Sequence, residues 1–419
     1  MQYPGSLHNH TDYSNLRLRD SINTVESLVN YAIQLGHKCI AITEHDTIAN
    51  AIKIEKYYQK IKEKYPDFKI IRGNEIYLVD PMEQAKGDKK YYHFILLAKD
   101  AIGHQQIREL STRAWMRSTV DRHMRRVPTY YSDLREIIGS NPGHVIGSTA
   151  LLGGWLASNI LKMETWHEDN MAAKIENRLM DMETIFGEDD FYLEMQPGAS
   201  KEQEIVNKWI RDHGYPFIIT TDSHYLKKEG APLHEAYLNS QDGDREVASF
   251  YATTYMMDTE ELESYMSHYM NKTNFEVAYY HIEQIMNKCE DYSLLKDLKI
   301  PRLVWNKPRC EHIEDVWFIH IPWLKKFIES DYEGDRVLAL MTIDAVKKDP
   351  DHLMNDDIYK AIDDCLEKTW VSSEVNKAHW SAYFLNLQRI IEECWNAGTL
   401  VGCGRGSGVG FILLYLLNR

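Results

Sequence analysis

Donor groups suited to metal ions recur in this sequence at short, fixed spacings. His8-Asn-His10 stands near its start, and Asp222-Ser-His224 follows the apolar run Phe217-Ile-Ile-Thr220. Residues two apart in an extended backbone share a face, so each pair offers two donors in one direction. His45 closes Ile40-Ala-Ile-Thr-Glu-His45, Glu75 follows Lys69-Ile-Ile-Arg72, and His93 introduces Phe94-Ile-Leu-Leu-Ala98. One histidine at a strand end is most often a satisfied structural group. Donors gathered at the ends of successive β-type runs read differently, because a barrel collects its active groups there. Imidazole with carboxylate suits Zn²⁺, Mn²⁺ or Fe²⁺. Ions clustered about 3.5–4 Å apart clamp both the attacking and the leaving oxygen of a phosphoester. Phosphoester hydrolysis is the chemistry these residues favour.

Two other features point to phosphate. Near residue 400 the sequence reads Val401-Gly-Cys-Gly-Arg-Gly-Ser-Gly-Val-Gly410. Gly404, Gly406, Gly408 and Gly410 let a backbone approach a ligand closely, Arg405 and Ser407 supply donors, and an apolar helix follows. That is a phosphate cradle, although glycine-rich turns also simply join elements. It has no Gly-Lys-Ser/Thr and is not a dinucleotide fingerprint after a clear strand. The second feature is six arginines within 19 residues: Arg108, Arg113, Arg117, Arg122, Arg125 and Arg126, with Trp115, His123 and Tyr130 interleaved. Arginine grips phosphates and aromatic rings stack on bases, the ingredients of a single-stranded DNA track. A solvated helix face balanced by acids elsewhere has the same composition.

These groups need a scaffold. Over the first 225 residues short β-type runs alternate with helical stretches, the order of an α/β fold with a mostly parallel sheet or barrel. The stretch 24–36 sets Val25, Leu28, Val29, Ala32 and Ile33 on one stripe, with Thr24 as N-cap and Gly36 past its end. Beyond residue 255, apolar stripes at helical spacing mark 260–270, 274–288, 316–330, 334–348 and 374–397. The expected division is a barrel domain over 1–285 and a mainly helical region over 286–419.

Composition narrows the classes. Forty-eight Lys and Arg against 63 Asp and Glu give a net charge of −15. Nucleic acid is therefore not held by bulk charge, and any phosphate grip must be a local patch or a bound cation. The six cysteines form no Cys-x-x-Cys pair and no apolar leader precedes them, so reduced thiols and a cytoplasmic location are expected. The longest apolar run, 409–417, is about half a membrane span, so no membrane partner is expected.

His8-Asn-His10-Thr-Asp-Tyr-Ser, Thr43-Glu-His-Asp, Gly73-Asn-Glu-Ile-Tyr, Tyr92-His-Phe-Ile-Leu-Leu-Ala-Lys-Asp and Thr221-Asp-Ser-His-Tyr resemble the polymerase and histidinol phosphatase domain. More narrowly, they resemble the version that begins the alpha subunit of bacterial C-family DNA polymerase III. The glycine-rich turn resembles the Gly-Pro-Gly-Arg-Gly-Ser segment of the same family's palm, with Cys403 at the proline. The resemblance implies a distorted seven-stranded β/α metal-binding barrel followed by a mainly helical partial palm and thumb. It implies one ion on His8, His10, Glu75 and Asp222, and a second on Asp20, His45 and His224, with Glu75, His10 and Asp222 catalytic. A third ion would share Glu75 with His93. Thr149-Ala-Leu-Leu-Gly-Gly154 carries Leu151 where relatives place a ligand, so two ions and a weak third are expected. Asp20 also lies three residues further from His10 than in most relatives, and Glu44 replaces an aspartate.

By the same resemblance, Gly404, Arg405, Gly406 and Ser407 would hold the triphosphate of a deoxynucleotide. Arg113, Arg117, Arg122, Arg125 and Arg126 would contact DNA. The function implied is the N-terminal portion of a replicative DNA polymerase, with a Mn-, Zn- or Fe-dependent 3′–5′ proofreading exonuclease in the barrel. The family's Pro-Asp-x-Asp-x-Asp run, which holds Mg²⁺ in the palm, does not occur in these residues. Polymerisation is therefore expected to need a second polypeptide carrying the rest of the palm and fingers, docked on the apolar end 411–417. A stand-alone phosphoesterase and an inactive metal-stabilised scaffold are the alternatives. The glycine motif speaks against the first, and the retained donors against the second.

Overall fold

The computed structural model of the chain describes residues 1–17, 19–80, 91–121, 124–150, 152–166, 170–198, 200–240, 251–402 and 404–418. Two units divide it, Met1–Leu295 and Lys296–Arg419. In the first, Cys39–Ile42 (β1) is apolar and wholly buried, and it pairs in parallel with Lys69–Val79 (β2). Tyr92–Ala98 (β3) follows, then a small hairpin of Thr119–Asp121 (β4) and Met124–Arg126 (β5), then Pro128–Tyr130 (β6). Val145–Ser148 (β7), Phe191–Met195 (β8) and Phe217–Ile219 (β9) complete the set. The main sheet has seven strands in the order β1-β2-β3-β7-β8-β9, with β6 also paired to β2. It is mixed where a mostly parallel sheet was expected, because β3 runs antiparallel to both β2 and β7.

Residues 4–10 bridge the two edges of this sheet. Toward β1, Pro4 O accepts from Lys38 N–H at 2.7 Å, Ser6 O from Ala41 N–H at 3.0 Å, and Asn9 O from Thr43 N–H at 2.9 Å. Toward β9, the Tyr3 hydroxyl donates to Ile219 O and His10 N–H to Ser223 O, both at 3.0 Å. Tyr3 and Leu7 join the core that β3, β7, β8 and β9 share with helix Lys272–Lys288. Helices Val25–Gln34 and Ala51–Lys62 cover β1 and β2 through Val25, Leu28, Val29 and Ile54. Thr24 and Ser27 close a capping box at the start of the first of these.

Sequence placed Glu75 after a strand ending at Arg72. In fact β2 runs on to Val79 and Glu75 lies within it, opposite Ile95 of β3. Arg72, Asn74 and Glu75 interrupt the apolar run, yet all three are buried. Each has interior partners, so the strand continues through polar residues that a hydrophobicity pattern reads as its end. The first unit also continues ten residues past 285. The Tyr58 hydroxyl donates to Asp291, Arg72 to Tyr292 O and the Ser293 hydroxyl to Glu55, at 2.9–3.2 Å.

The second unit is helical, around a core that includes Leu324, Phe327, Leu338, Ile343, Leu366, Leu385 and Leu413. The stripe at 316–330 is two helices, Val316–His320 and Trp323–Ile328, broken at Pro322, which has no N–H to donate. The stripe at 374–397 is also broken: Asp356–Asn376 ends at Lys377 in the left-handed conformation (φ 49°), and Trp380–Asn396 follows. Leu413, Leu416 and Leu417 are buried in this unit's own core. The expectation that 411–417 offers an apolar docking face fails there, because the helix Ile412–Leu417 already packs inward; Tyr415 stays exposed. Among the described residues no helix is long and apolar enough to cross a membrane.

Closure of the sheet depends on Gly5, whose φ is +139° and whose added Cβ would lie 1.8 Å from Cys39 O. Gly5→Ala is expected to cost about 3 kcal/mol or more, strain and clash together. Gly143→Ala, at a φ of +88° in open space, adds strain alone and should cost about 1 kcal/mol. Equal losses in urea unfolding would show that the closing segment is not tightly held.

Candidate metal centre

The donors reach the interior from several separate elements. Asn9 and Ser223 form a parallel bridge between two extended segments. His8 and His10 flank it with their Nε2 atoms 3.1 Å apart. Asp222 follows β9 in the left-handed region (φ 46°) and sets Oδ1 3.1 Å from both of those nitrogens. Glu75 Oε2 lies 3.4 Å from His8 Nε2, 3.2 Å from His10 Nε2 and 2.7 Å from His45 Nδ1. Its Oε1 lies 2.5 Å from His93 Nδ1.

A second knot forms at Asp20. Its Oδ2 contacts His45 Nε2 and stands 2.8 Å from His224 Nε2. The rings of His45 and His224 both stack on His10, at centroid distances of 4.1 and 4.4 Å. Two buried donor groups result, His10 with Asp20, His45 and His224, and His8 with His10 and Glu75. His10 belongs to both, whereas the sequence reading assigned it to one ion.

Charge in this interior is dictated by the carboxylates. Burial alone would depress the imidazoles, but Asp222, Glu194 and Glu75 raise His8 well above its ordinary value, and Glu75 and Asp20 raise His45 to about 9. Burial also opposes ionised acids, yet His224 and His45 hold Asp20, and His45, His93 and His8 hold Glu75, well below the carboxylate range. Buried ionised carboxylates require positive charge close by. Despite the nitrogens around them, neither oxygen of Glu75 nor Asp222 Oδ1 makes a properly directed hydrogen bond. Carboxylate oxygens and ring nitrogens that converge without directed hydrogen bonds fit a bound cation. The residues present fit divalent ions.

A further layer orients the donors, and the sequence reading missed most of it. His8 Nδ1 lies 2.7 Å from Glu194 Oε1, and Glu194 also accepts from the Ser148 and Thr220 hydroxyls and the Gln196 amide, each at 2.8 Å. His10 Nδ1 lies 3.0 Å from Ser14 Oγ, and the Ser14 hydroxyl donates to Glu44 at 2.5 Å. Thr11 N–H and the Asn50 amide also donate to Glu44, at 3.0 and 2.6 Å, so the residue that replaces the usual aspartate pins the loop after His10. The Tyr251 hydroxyl bonds Asp20 Oδ1, and His234 Nε2 lies 2.5 Å from Asp20 O. Outer contacts of this kind fix ring orientation and ligand basicity. Glu194 left one legible signal, an acid inside the apolar run Phe191-Tyr-Leu-Glu-Met195. Tyr251 and His234 left none.

The remaining sequence candidates sit elsewhere. Leu151, Arg122 and Cys403 lie outside the described residues, as does the side chain of Ser407. Arg113 pairs with Glu109, Asp133 and Glu136, and Arg117 makes two hydrogen bonds to Asp133, so both charges are met locally. Arg125 lies 5.8 Å over the Trp115 ring and Arg126 5.0 Å over Tyr91, on the β4–β5 hairpin. In the second unit Gly404 and Gly406 take φ of +76° and +101°, and Arg405 between them is exposed.

Residues 6–198 match the PHP domain, and residues 341–419 match the bacterial DNA polymerase III alpha NTPase domain. The chain is 33% identical over 440 residues to the probable DNA polymerase YorL of Bacillus subtilis (strain 168), across 98% of this chain and 34% of that protein. The same figures hold for the DNA-directed DNA polymerase of Bacillus phage SPbeta. Identity to the DNA polymerase III subunit alpha of Borreliella burgdorferi is 25% over 430 residues, across 98% of this chain and 32% of that one. The chain thus spans about a third of the length of these relatives. It carries a PHP domain followed by a DNA polymerase III alpha NTPase domain and resembles the N-terminal part of bacterial DNA polymerase III alpha subunits.

Proposed function

We propose that this chain is the N-terminal portion of a C-family replicative DNA polymerase whose first unit removes nucleotides from DNA 3′ ends, a proofreading exonuclease. One observation carries the reading: two buried donor groups share His10, and beside it both oxygens of Glu75 and Asp222 Oδ1 make no directed hydrogen bond. His8, His10, Glu75 and Asp222 would hold one divalent ion. Asp20, His45 and His224 would hold a second, and His93 stands on the other oxygen of Glu75. When bound, such ions polarise a phosphodiester and supply a nucleophilic water at neutral pH. The chain keeps its own carboxylates ionised, holds His8 through Glu194 and His10 through Ser14, and admits substrate through a cavity of about 470 Å³ beside His8, Glu75, His93 and Asp222. His10, Glu75 and Asp222, which lie within 3.2 Å of one another through His10 Nε2, would carry the reaction.

The second unit supplies part of a nucleotide site. Gly404, Arg405, Gly406 and Ser407 would cradle the triphosphate of a deoxynucleotide. The Mg²⁺-binding carboxylates of the complete polymerase would come from further polypeptide, and DNA, deoxynucleotides and that polypeptide are the proposed partners in a cytoplasmic setting. Arg125, exposed on the β4–β5 hairpin, is better placed to meet DNA than Arg113 and Arg117, whose charges are matched by acids.

Elemental analysis of the purified chain should find two divalent ions, and three at full occupancy would overturn the assignment of Leu151 as a lost ligand. With Mn²⁺ the chain should shorten single-stranded DNA from its 3′ end, and His10→Ala or Asp222→Ala should reduce the rate to background. A chain inert with Mn²⁺, Zn²⁺ and Fe²⁺ on every DNA end would favour the scaffold reading. Glu194→Gln keeps the shape but weakens the hold on His8, so metal affinity measured by competition with a chelator should fall about 10- to 100-fold. Unchanged affinity would reduce Glu194 to a packing role.

A further inference from the structure

The cavity beside the metal-type donors is selective in what it lacks. Apart from the donors, its described lining holds no lysine or arginine; the polar groups are the amides of Gln196 and Gln203 and the hydroxyls of Ser200, Thr253 and Thr254. A phosphate can be gripped only at the donor end. Whatever is attached to it meets neutral amides and hydroxyls.

Both amides are fixed. Gln203, on helix Lys201–His213, donates Nε2 to Pro197 O at 3.2 Å. It lies across Gly198, where an added Cβ would come within 1.6 Å of Gln203 Oε1. Gln196 donates Nε2 to Glu194 Oε1 at 2.8 Å, the oxygen that also stands 2.7 Å from His8 Nδ1. A primary amide carries two N–H donors and a carbonyl with two lone pairs, so each retains donor and acceptor capacity.

We propose that Gln196 and Gln203 form the seat of the 3′-terminal nucleoside and that the cavity accepts one unpaired nucleoside and excludes a base pair. The inference rests on the exonuclease reading above. Each Watson–Crick edge mixes donors and acceptors, so an amide that offers both serves all four bases, where a charged side chain would select among them. The volume lies toward the lower end of the range for small-ligand sites. That leaves space for one nucleoside beside the scissile phosphate. Gln196 has a second role as a positioning residue, because it braces the carboxylate that orients His8.

The test is calorimetry on the whole chain with Mn²⁺, using thymidine 5′-monophosphate, deoxyadenosine 5′-monophosphate and inorganic phosphate as probes. Wild type should bind both nucleotides more tightly than phosphate. Gln203→Leu should weaken the two nucleotides equally, by about 3- to 10-fold, and leave phosphate unchanged. Gln203→Asn, shorter by one methylene, should move in the same direction. Gln196→Leu should weaken nucleotides and phosphate together, since it also frees Glu194. In cleavage assays Gln203→Leu should lower the preference for unpaired over paired 3′ ends. Wild type that binds neither phosphate nor nucleotide would overturn the exonuclease reading and this inference with it. Phosphate and nucleotides bound equally, or nucleotide binding unmoved by both Gln203 variants, would overturn this inference and leave that reading standing.

Discussion

Carboxylates that stay ionised in the interior of a protein set the terms for everything around them. Asp20, Glu75 and Asp222 are buried, and imidazoles on every side hold them in their charged forms. A lone buried charge is too costly to retain, and a matched cluster is tolerated only if its geometry is held closely. The first unit meets that requirement by bringing donors from separate elements to one place. The closing segment gives His8 and His10, the ends of β1 and β9 give His45 and Asp222, and mid-strand β2 gives Glu75. Loss of any one donor leaves the others with unmatched charge.

The outer contacts follow from the same constraint. His8 leans on Glu194, His10 on Ser14, and Asp20 on the Tyr251 hydroxyl. Glu44 does not face the donors, yet it gathers Thr11, Ser14 and Asn50 and so fixes the loop that carries His10. The left-handed backbone at Asp46 and Asp222, uncommon for residues with a side chain, flanks the cluster. Such strain persists where surrounding structure holds it in place. Rigidity here serves chemistry, because donors aimed at a cation must be held in place by the contacts around them.

The second unit is built on different physics. Among its described residues no comparable knot of buried charge organises it; apolar helix faces do, and Gly404, Arg405 and Gly406 of its glycine turn are exposed. The helix after that turn has six residues, with three leucines facing the core. Its role is to anchor the turn, and the positive φ values of Gly404 and Gly406 give the turn its shape.

Much of the donor set was legible in the sequence, since His8-x-His10 and Asp222-x-His224 depend only on the two-residue period of extended backbone. The helix at 25–34 was legible too, because Thr24 and its apolar stripe are local signals. Tertiary structure alone decided what lay beyond local range. Residues 4–10 close the sheet through hydrogen bonds to strands more than thirty and two hundred positions away. Glu75 sits inside β2 because Arg72, Asn74 and Glu75 find interior partners that no pattern in their own neighbourhood reveals. His10 serves both donor groups only because Asp20, His45 and Glu75 converge on it from three elements. Arg113 and Arg117 look like a nucleic-acid track in one dimension, and Asp133 and Glu136, some twenty residues on, absorb their charge in three. Residue type and spacing fix what a side chain can do, while its partners are set by packing between segments distant in the chain.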